Sequence, residues 1–369
     1  VAGDAIDAVT ELHVRERVPL GPHTTLGVGG EARWFVVAPD EATVMAAHAW
    51  ARARGVVLCV LGGGSNVVVA DAGVDALVMR VGLRGVSIRE RPGAVEVTAA
   101  AGEPWDALVH TTVEHGWAGL ECLSGIPGLV GATPIQNVGA YGQEVSDTVT
   151  GVRVLDTHDG SVATLPSDRC GFAYRDSVFK RDGAGRWIVL AVTYRLRPQG
   201  TPTLGYADVA RHLTQQGTTS PTLGDVRRAV LAIRRSKSMV LDDPADPNRR
   251  SCGSFFLNPI LDDAAASAAA ARAGDATMPR WPQPDGRVKL SAAWLIERAG
   301  FARGTRMGPV GLSTRHTLAI VAYDGARSED VLTFAGRLQD AVEARFGVRL
   351  TAEPVFWGRP GPFGHDAAA

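Results

Sequence analysis

The sequence predicts an α+β fold divided into more than one domain, and three observations carry that expectation. At 369 residues the chain exceeds the usual size of a single hydrophobic core, so two or three domains are expected. A glycine-rich loop at 61–66 joins one β-branched run to another, where a nucleotide fold of the doubly wound kind would pass from strand to helix. A turn-forming connector at 198–206 then separates a strand-rich half from a half with more helical periodicity. Hydrophobic residues at 45% and charged residues at 21% supply enough apolar mass for real cores.

The elements follow in chain order. Residues 32–37 read as a strand. A helix starts at Asp40, which can cap it, and ends at Gly55, with apolar and alanine positions up to Trp50 as its packing face. The runs 56–61 and 67–69 are apolar and β-branched, so they read as buried strands. Residues 94–101 read as a strand and 104–115 as a helix with Trp105, Leu108, Val109, Thr112 and Val113 on one face, ended by Gly116. The stretch 120–142 is rich in Gly, Pro, Ser and Asn and too long for a plain connector. Loops of that length are functional or disordered as a rule, and its embedded Ile, Leu and Val argue against disorder. Strands are expected at 152–155, 161–165 and 187–197.

In the second half a helix begins at Leu223, and 254–257 reads as a strand. Residues 262–273 form an alanine-dense helix closed by Gly274. Helices are expected at 291–299 and 328–346, the latter turning Val331, Phe334, Ala335, Leu338 and Val342 to the core. Residues 318–322 read as a strand. The tail from Gly358 is expected to be loose.

The bulk numbers exclude several classes of function. A formal net charge of −1 leaves no global field for nucleic acid or an anionic membrane. No apolar run reaches the length of a membrane span, and the start lacks the apolar core of a signal peptide. Cys59, Cys122, Cys170 and Cys252 have no zinc spacing and make no disulfide framework, so reduced thiols in a cytoplasmic protein are expected. His23, His110, His115 and His316 have no metal spacing, and no metal is expected. Neither a G-x-S-x-G elbow nor a G-x-x-x-x-G-K-[ST] loop occurs.

Five segments carry candidate chemistry. Gly62, Gly63, Gly64, Ser65 and Asn66 either form a hairpin turn or present backbone N–H groups to an anion. In the stretch 120–142, Ser124, Gly125, Ile126, Pro127, Gly128, Gln136, Asn137, Gly139 and Ala140 suit a surface pressed against a large flat ligand, because glycine lets a ligand or another backbone approach closely. Arg175 lies between Tyr174 and Asp176, where it is either a neutralised surface residue or a ligand cation. Arg234, Arg235 and Lys237 form a basic cluster, or a solvated helix end. Ser254, between Gly253 and Phe255-Phe256, is either a core turn residue or a hydroxyl in a dry site.

Taken together, these blocks resemble the UDP-N-acetylenolpyruvoylglucosamine reductase (MurB) family over residues 20–358. The blocks are 61–66, 126–142, Tyr174-Arg175-Asp176-Ser177-Val178-Phe179-Lys180, Gly253-Ser254-Phe255-Phe256-Leu257-Asn258-Pro259, and Val288-Lys289-Leu290-Ser291-Ala292. The resemblance implies a two-lobed FAD-binding domain of the vanillyl-alcohol-oxidase/PCMH type plus a C-terminal α+β substrate-binding domain. Its boundaries would be 1–80 and 81–200 for the lobes, 215–350 for the substrate domain and 351–369 for a C-terminal segment. It implies a monomeric cytoplasmic enzyme of peptidoglycan precursor synthesis. NADPH would reduce noncovalent FAD, and hydride from the flavin N5 would convert a UDP-sugar enolpyruvyl ether to the lactyl ether of UDP-N-acetylmuramate.

The resemblance also implies roles. Ser254 matches the general acid, Arg175 the contact to the enolpyruvyl carboxylate, and Glu353 the second catalytic position. Residues 62–66, 124–128, Gln136, Asn137, Gly139, Ala140 and Arg234 match flavin contacts. Tyr206, Lys237, Asn258, Trp281 and His316 match positions that hold substrate. Two departures stand out. Trp281 occupies the place of a tyrosine in the extra loop of type I members, and Ala352-Glu353-Pro354 reorders the local Pro and Glu. The competing classes are a sugar or alcohol oxidase of the same fold and a nucleotide-binding regulator on a dead flavin scaffold.

Overall fold

The first lobe is a sheet whose middle is parallel. The computed structural model describes residues 12–181 and 185–358. The N-terminal start and the expected loose tail beyond Gly358 lie outside the described residues. In chain order come β1 (Arg15–Pro19), β2 (Glu31–Ala38), α1 (Glu41–Arg54), β3 (Val57–Leu61), β4 (Val67–Val69) and β5 (Val74–Val81). The sheet order is β1-β2-β5-β3, with β2, β5 and β3 parallel and β1 antiparallel at the edge. Asp40 caps α1 by accepting from Thr43 N–H at 2.7 Å, and Gly55 closes it at φ 60°. The two caps satisfy groups that a helix end leaves unpaired. β4 stays outside this sheet.

The second lobe is antiparallel. It contains β6 (Val86–Arg91), β7 (Ala94–Ala100), α2 (Trp105–Glu114), β8 (Trp117–Ala118), β9 (Gly139–Ala140), β10 (Gln143–Glu144), β11 (Val149–Asp156), β12 (Val162–Pro166) and β13 (Trp187–Pro198). The sheet order is β12-β11-β13-β7-β6, with β8 paired to β13. Val36, Leu77 and Met79 of the first lobe share one buried core with Val97, Trp105, Val152, Leu190 and Tyr194 of the second. The two lobes therefore fold against each other through apolar surface, the main favourable term in burial.

The elements of the rest of the chain are α3 (Ala207–Gln215), α4 (Leu223–Ser236), β14 (Ile260–Leu261), α5 (Asp263–Ala273), β15 (Arg280–Pro282), β16 (Val288–Leu290), α6 (Ala292–Arg298), β17 (Arg306–Met307), β18 (Val310–Leu312), β19 (Ile320–Ala322), α7 (Ser328–Phe346) and β20 (Val355–Trp357). Here α3 and α4 pack on each other and on the segment around Cys122, and the remaining elements gather around α7. Two small sheets run β14-β16-β15 and β17-β18-β19. Val331, Phe334, Ala335, Leu338 and Val342 of α7 are buried in their core. β20 leaves this domain and pairs in parallel with β4, Val355 opposite Val67 and Trp357 opposite Val69.

Three features depart from the reading of the sequence. Residues 254–257 do not form a strand; Phe255 and Phe256 are both buried, and the segment crosses the core with one isolated bridge from Phe256 to Ala352. The connector at 198–206 leads into α3, a short helix that buries Val209 and Leu213 against α4. β5 and β6 were not anticipated. β6 is exposed along its whole length, Val86 and Ile88 included, so its brief apolar alternation faces no core.

Candidate active site

Two glycine loops meet backbone to backbone. The loop 62–66 follows β3, and a Cβ on Gly63 would lie 2.9 Å from Gly128 Cα. Ser65 Oγ donates to the carbonyl of Pro127 at 3.2 Å across the same seam. Gly64 sits at φ 64°, and a Cβ there would lie 2.1 Å from His23 O, so only glycine fits. The N–H groups of Gly63, Gly64, Ser65 and Asn66 donate to no acceptor among the described residues, and neither do those of Ile126 and Gly128. A Cβ on Gly62 would meet nothing nearer than 3.9 Å. Unpaired amides on a seam with few side chains are the donor set a diphosphate requires, so these residues fit the phosphates of an FAD.

Other members of the two loops are structural supports. Ser124 Oγ donates to Glu121 O at 2.7 Å, and Gly125 N–H donates to Asp106 at 2.6 Å. Asp106 in turn receives Arg227 at 2.6 and 2.8 Å. Arg234 is buried; its Nε donates to Gly125 O at 3.1 Å and its Nη2 to Met239 O at 2.7 Å. Burial lowers its pKa, offset by the Tyr141 hydroxyl. Arg234 is thus no solvated helix end, and it fastens the loop to α4. Asn137 is buried at φ 43°, with its amide donating to Glu144 at 2.8 Å and to Ala173 O at 3.1 Å. Asn66 Nδ2 donates to Gln136 Oε1 at 2.9 Å.

Arg175 stands beside this seam. Its guanidinium donates to the carbonyls of Asn137 at 3.4 Å and of Gly139, and its Nε lies 3.5 Å from Glu353 Oε1. Asp176 pairs with Arg181 and does not neutralise Arg175. Arg175 adopts φ 53°, a conformation that costs a non-glycine residue roughly 1–3 kcal/mol and gathers at functional sites. The Glu353 side chain is 13% exposed. Burial raises its pKa, while Arg175 and Lys180 pull it back.

Ser254 reaches the same place through the backbone. Glu353 N–H donates to Phe255 O and Leu257 N–H to Thr351 O, both at 2.9 Å. This short ladder sets Glu353 opposite Phe255, next to Ser254. The Ser254 hydroxyl has no hydrogen-bond partner among the described residues.

A third group lies around α4. Tyr206 meets Tyr141 edge-on at 5.3 Å, and Lys237 Nζ is 3.8 Å from Asp208. His316 Nδ1 is buried without a partner among the described residues. Burial, with Lys237, Arg234 and Arg303 nearby, lowers the His316 pKa to about 4, so the imidazole is neutral. Trp281 is 45% exposed on β15, opposite Lys289 in the register.

The sequence did not single out Tyr174, Lys289 or Glu144 as site residues. The Tyr174 hydroxyl bonds Asn258, and Lys289 Nζ lies 5.0 Å from the Tyr174 ring centre. Glu144 has a raised pKa, from burial first, with Arg175 and Lys289 opposing. Tyr174 and Lys289 lie inside motif blocks already quoted, so proximity to Arg175 was the available signal. Asn258 Oδ1 accepts from Ala292 N–H at 3.0 Å, which fixes the amide facing Tyr174. Among the described residues no group of His, Cys, Asp and Glu is arranged to hold a metal ion, and no helix is long and apolar enough to cross a membrane.

Comparisons with known proteins agree with this geometry. Residues 32–166 match a family model for an FAD binding domain, and 244–357 match the C-terminal domain of UDP-N-acetylenolpyruvoylglucosamine reductase. The reductase of that name from Saccharopolyspora erythraea is 49% identical over 346 residues, covering 91% of this chain and 93% of its own. That of Pseudomonas aeruginosa is 43% identical, covering 93% of this chain and 98% of its own. The crystal structure of the Thermus caldophilus enzyme superposes with a TM-score of 0.64 at 26% identity, over 94% of this chain and 99% of that one. With its FAD-binding lobes and the matching C-terminal domain, the chain belongs to the UDP-N-acetylenolpyruvoylglucosamine reductase family of flavin-dependent oxidoreductases.

Proposed function

We propose that this protein reduces UDP-N-acetylenolpyruvoylglucosamine to UDP-N-acetylmuramate with NADPH, as a monomer in the cytoplasm, in peptidoglycan precursor synthesis. The observation that supports this reading most directly is Arg175 between Glu353 and the flavin-loop carbonyls, with Glu353 bonded to the backbone of Phe255, the residue after Ser254. FAD, when bound, accepts hydride from NADPH and supplies it to the enolpyruvyl double bond. It is held noncovalently in this reading: no histidine lies at 61–66, and Cys122 of the second stretch is fully buried with its pKa pushed up to about 12.

The protein's own groups handle the charge that results. Hydride addition leaves an enediolate on the substrate carboxyl. Arg175 meets those oxygens as a two-pronged donor, and a fixed cation there favours the transition state over the ground state. Glu353, whose neutral form burial favours, donates a hydrogen bond in that form, where an ionised carboxylate would repel. Ser254 then transfers its proton to the carbanionic carbon. A serine is a weak acid, and it suffices only because that carbon is strongly basic. Tyr206, Lys237, Asn258, His316 and Trp281 hold the sugar nucleotide, with Lys237 directed at its diphosphate.

The test is spectroscopic. Purified protein should show flavin absorbance, bleach on anaerobic addition of NADPH and recover on addition of the enolpyruvyl sugar nucleotide. Bleaching without recovery would sink the proposed acceptor. A covalently retained flavin would favour an oxidase.

A further inference from the structure

The C-terminal strand β20 brings Glu353 back to the flavin loop, and the contact there is specific. Asn66 Nδ2 donates to Glu353 O at 3.4 Å, and Asn66 O accepts from Val355 N–H at 3.0 Å. The same Asn66 amide donates to Gln136 Oε1. Both termini of the Glu353 peptide unit are therefore held, its N–H by Phe255 O and its C=O by Asn66. Gln136 has neighbours that hold the opposing arginine: Ile135 O accepts from Ser177 Oγ at 2.6 Å, and Asn137 O accepts from Arg175.

We infer that the Asn66–Gln136 amide pair is a positioning clamp that sets Glu353 against Arg175, and so ties the acid's alignment to the loop that carries the flavin. Side chains that touch phosphate alone would have no reason to bond each other and a carbonyl near residue 353. Here one amide reaches both the second glycine loop and the C-terminal segment. A shift of Asn66 would move the Glu353 backbone relative to Arg175 without removing either side chain. Geometry errors of this size in a catalytic pair are costly.

The inference rests on the catalytic reading of Glu353. Its test measures the two half-reactions of the holoenzyme separately, with bound FAD counted by absorbance. In Gln136→Ala, oxidation of reduced flavin by the enolpyruvyl substrate should slow about tenfold more than flavin reduction by NADPH. Asn66→Asp, which sets a carboxylate against Gln136 Oε1 and Glu353 O, should show the same split. Glu353→Ala should show it too, and adding Gln136→Ala to Glu353→Ala should cause less than about a twofold further loss. Equal falls in both half-reactions, or losses that multiply in the double variant, overturn the clamp. If Glu353→Ala alone leaves flavin oxidation unchanged, the catalytic reading of Glu353 fails, and the clamp with it. If Glu353→Ala shows the split and Gln136→Ala does not, the clamp alone fails.

Discussion

The flavin seam and the acid cluster are built in opposite ways. The seam uses backbone: free amides at 63–66, 126 and 128, with glycines where two chains touch. The cluster uses side chains: Arg175, Glu353 and Ser254 arrive from three distant segments and are aligned by carbonyls and one short ladder. A backbone site tolerates little change of residue but follows from local sequence. A side-chain site depends on the whole fold. The two should therefore fail differently when altered.

Ser254→Ala gives the largest expected effect. It should slow flavin oxidation by substrate about 10²–10⁴-fold, the range for losing a general acid, while NADPH still bleaches the flavin in stopped-flow. Equal losses in both would erase the distinction between the regions. Arg175→Lys comes next, with about a 10²-fold loss in the same half-reaction, because an ammonium cannot reproduce the fork on a carboxylate. Gly64→Ala tests the other region. Its Cβ would meet His23 O at 2.1 Å at φ 64°, so FAD affinity should fall about tenfold or more, read by flavin retained on gel filtration. Retention of flavin there would break the comparison from the seam side.

The smallest effect concerns pH. Burial favours the neutral form of Glu353, so its folded pKa lies above its unfolded one. That contribution to stability is full below the unfolded pKa and is lost as pH rises through the folded value. Glu353→Gln cannot ionise. Its stability relative to wild type should therefore improve as pH rises from acid toward neutral, followed by urea unfolding. No change with pH would mean that Glu353 is ionised in the fold, and would sharpen the comparison by making the cluster purely ionic.

How much of this was legible in the sequence follows from the same contrast. The α1 and α5 caps and the α7 core face depend on residues close together in the chain, and the reading of each agrees with the structure. The contact between Gly63 and Gly128 is not local, and no pattern in the chain announces it. Glu353 follows from counting along a motif, whereas Phe255, which accepts its N–H, lies in a segment whose sequence reads as strand. Tertiary burial decided otherwise. Glu144 escaped notice because an acid at a hairpin looks like solvated surface until Arg175 and Lys289 are seen beside it. Helix α3 offered only Val209 and Leu213 as an apolar face, too little to mark a helix.

The pairing of β20 with β4 has a consequence for how the molecule is made. Val355 and Trp357 pack with Leu61, Val67 and Val69 in a core that otherwise belongs to the first lobe. During synthesis the amino-terminal part emerges first, and domains generally fold in that order. This lobe cannot complete its core until the residues up to Trp357 have left the ribosome. A nascent chain stopped before residue 355 should leave that core open and protease-sensitive however long it waits.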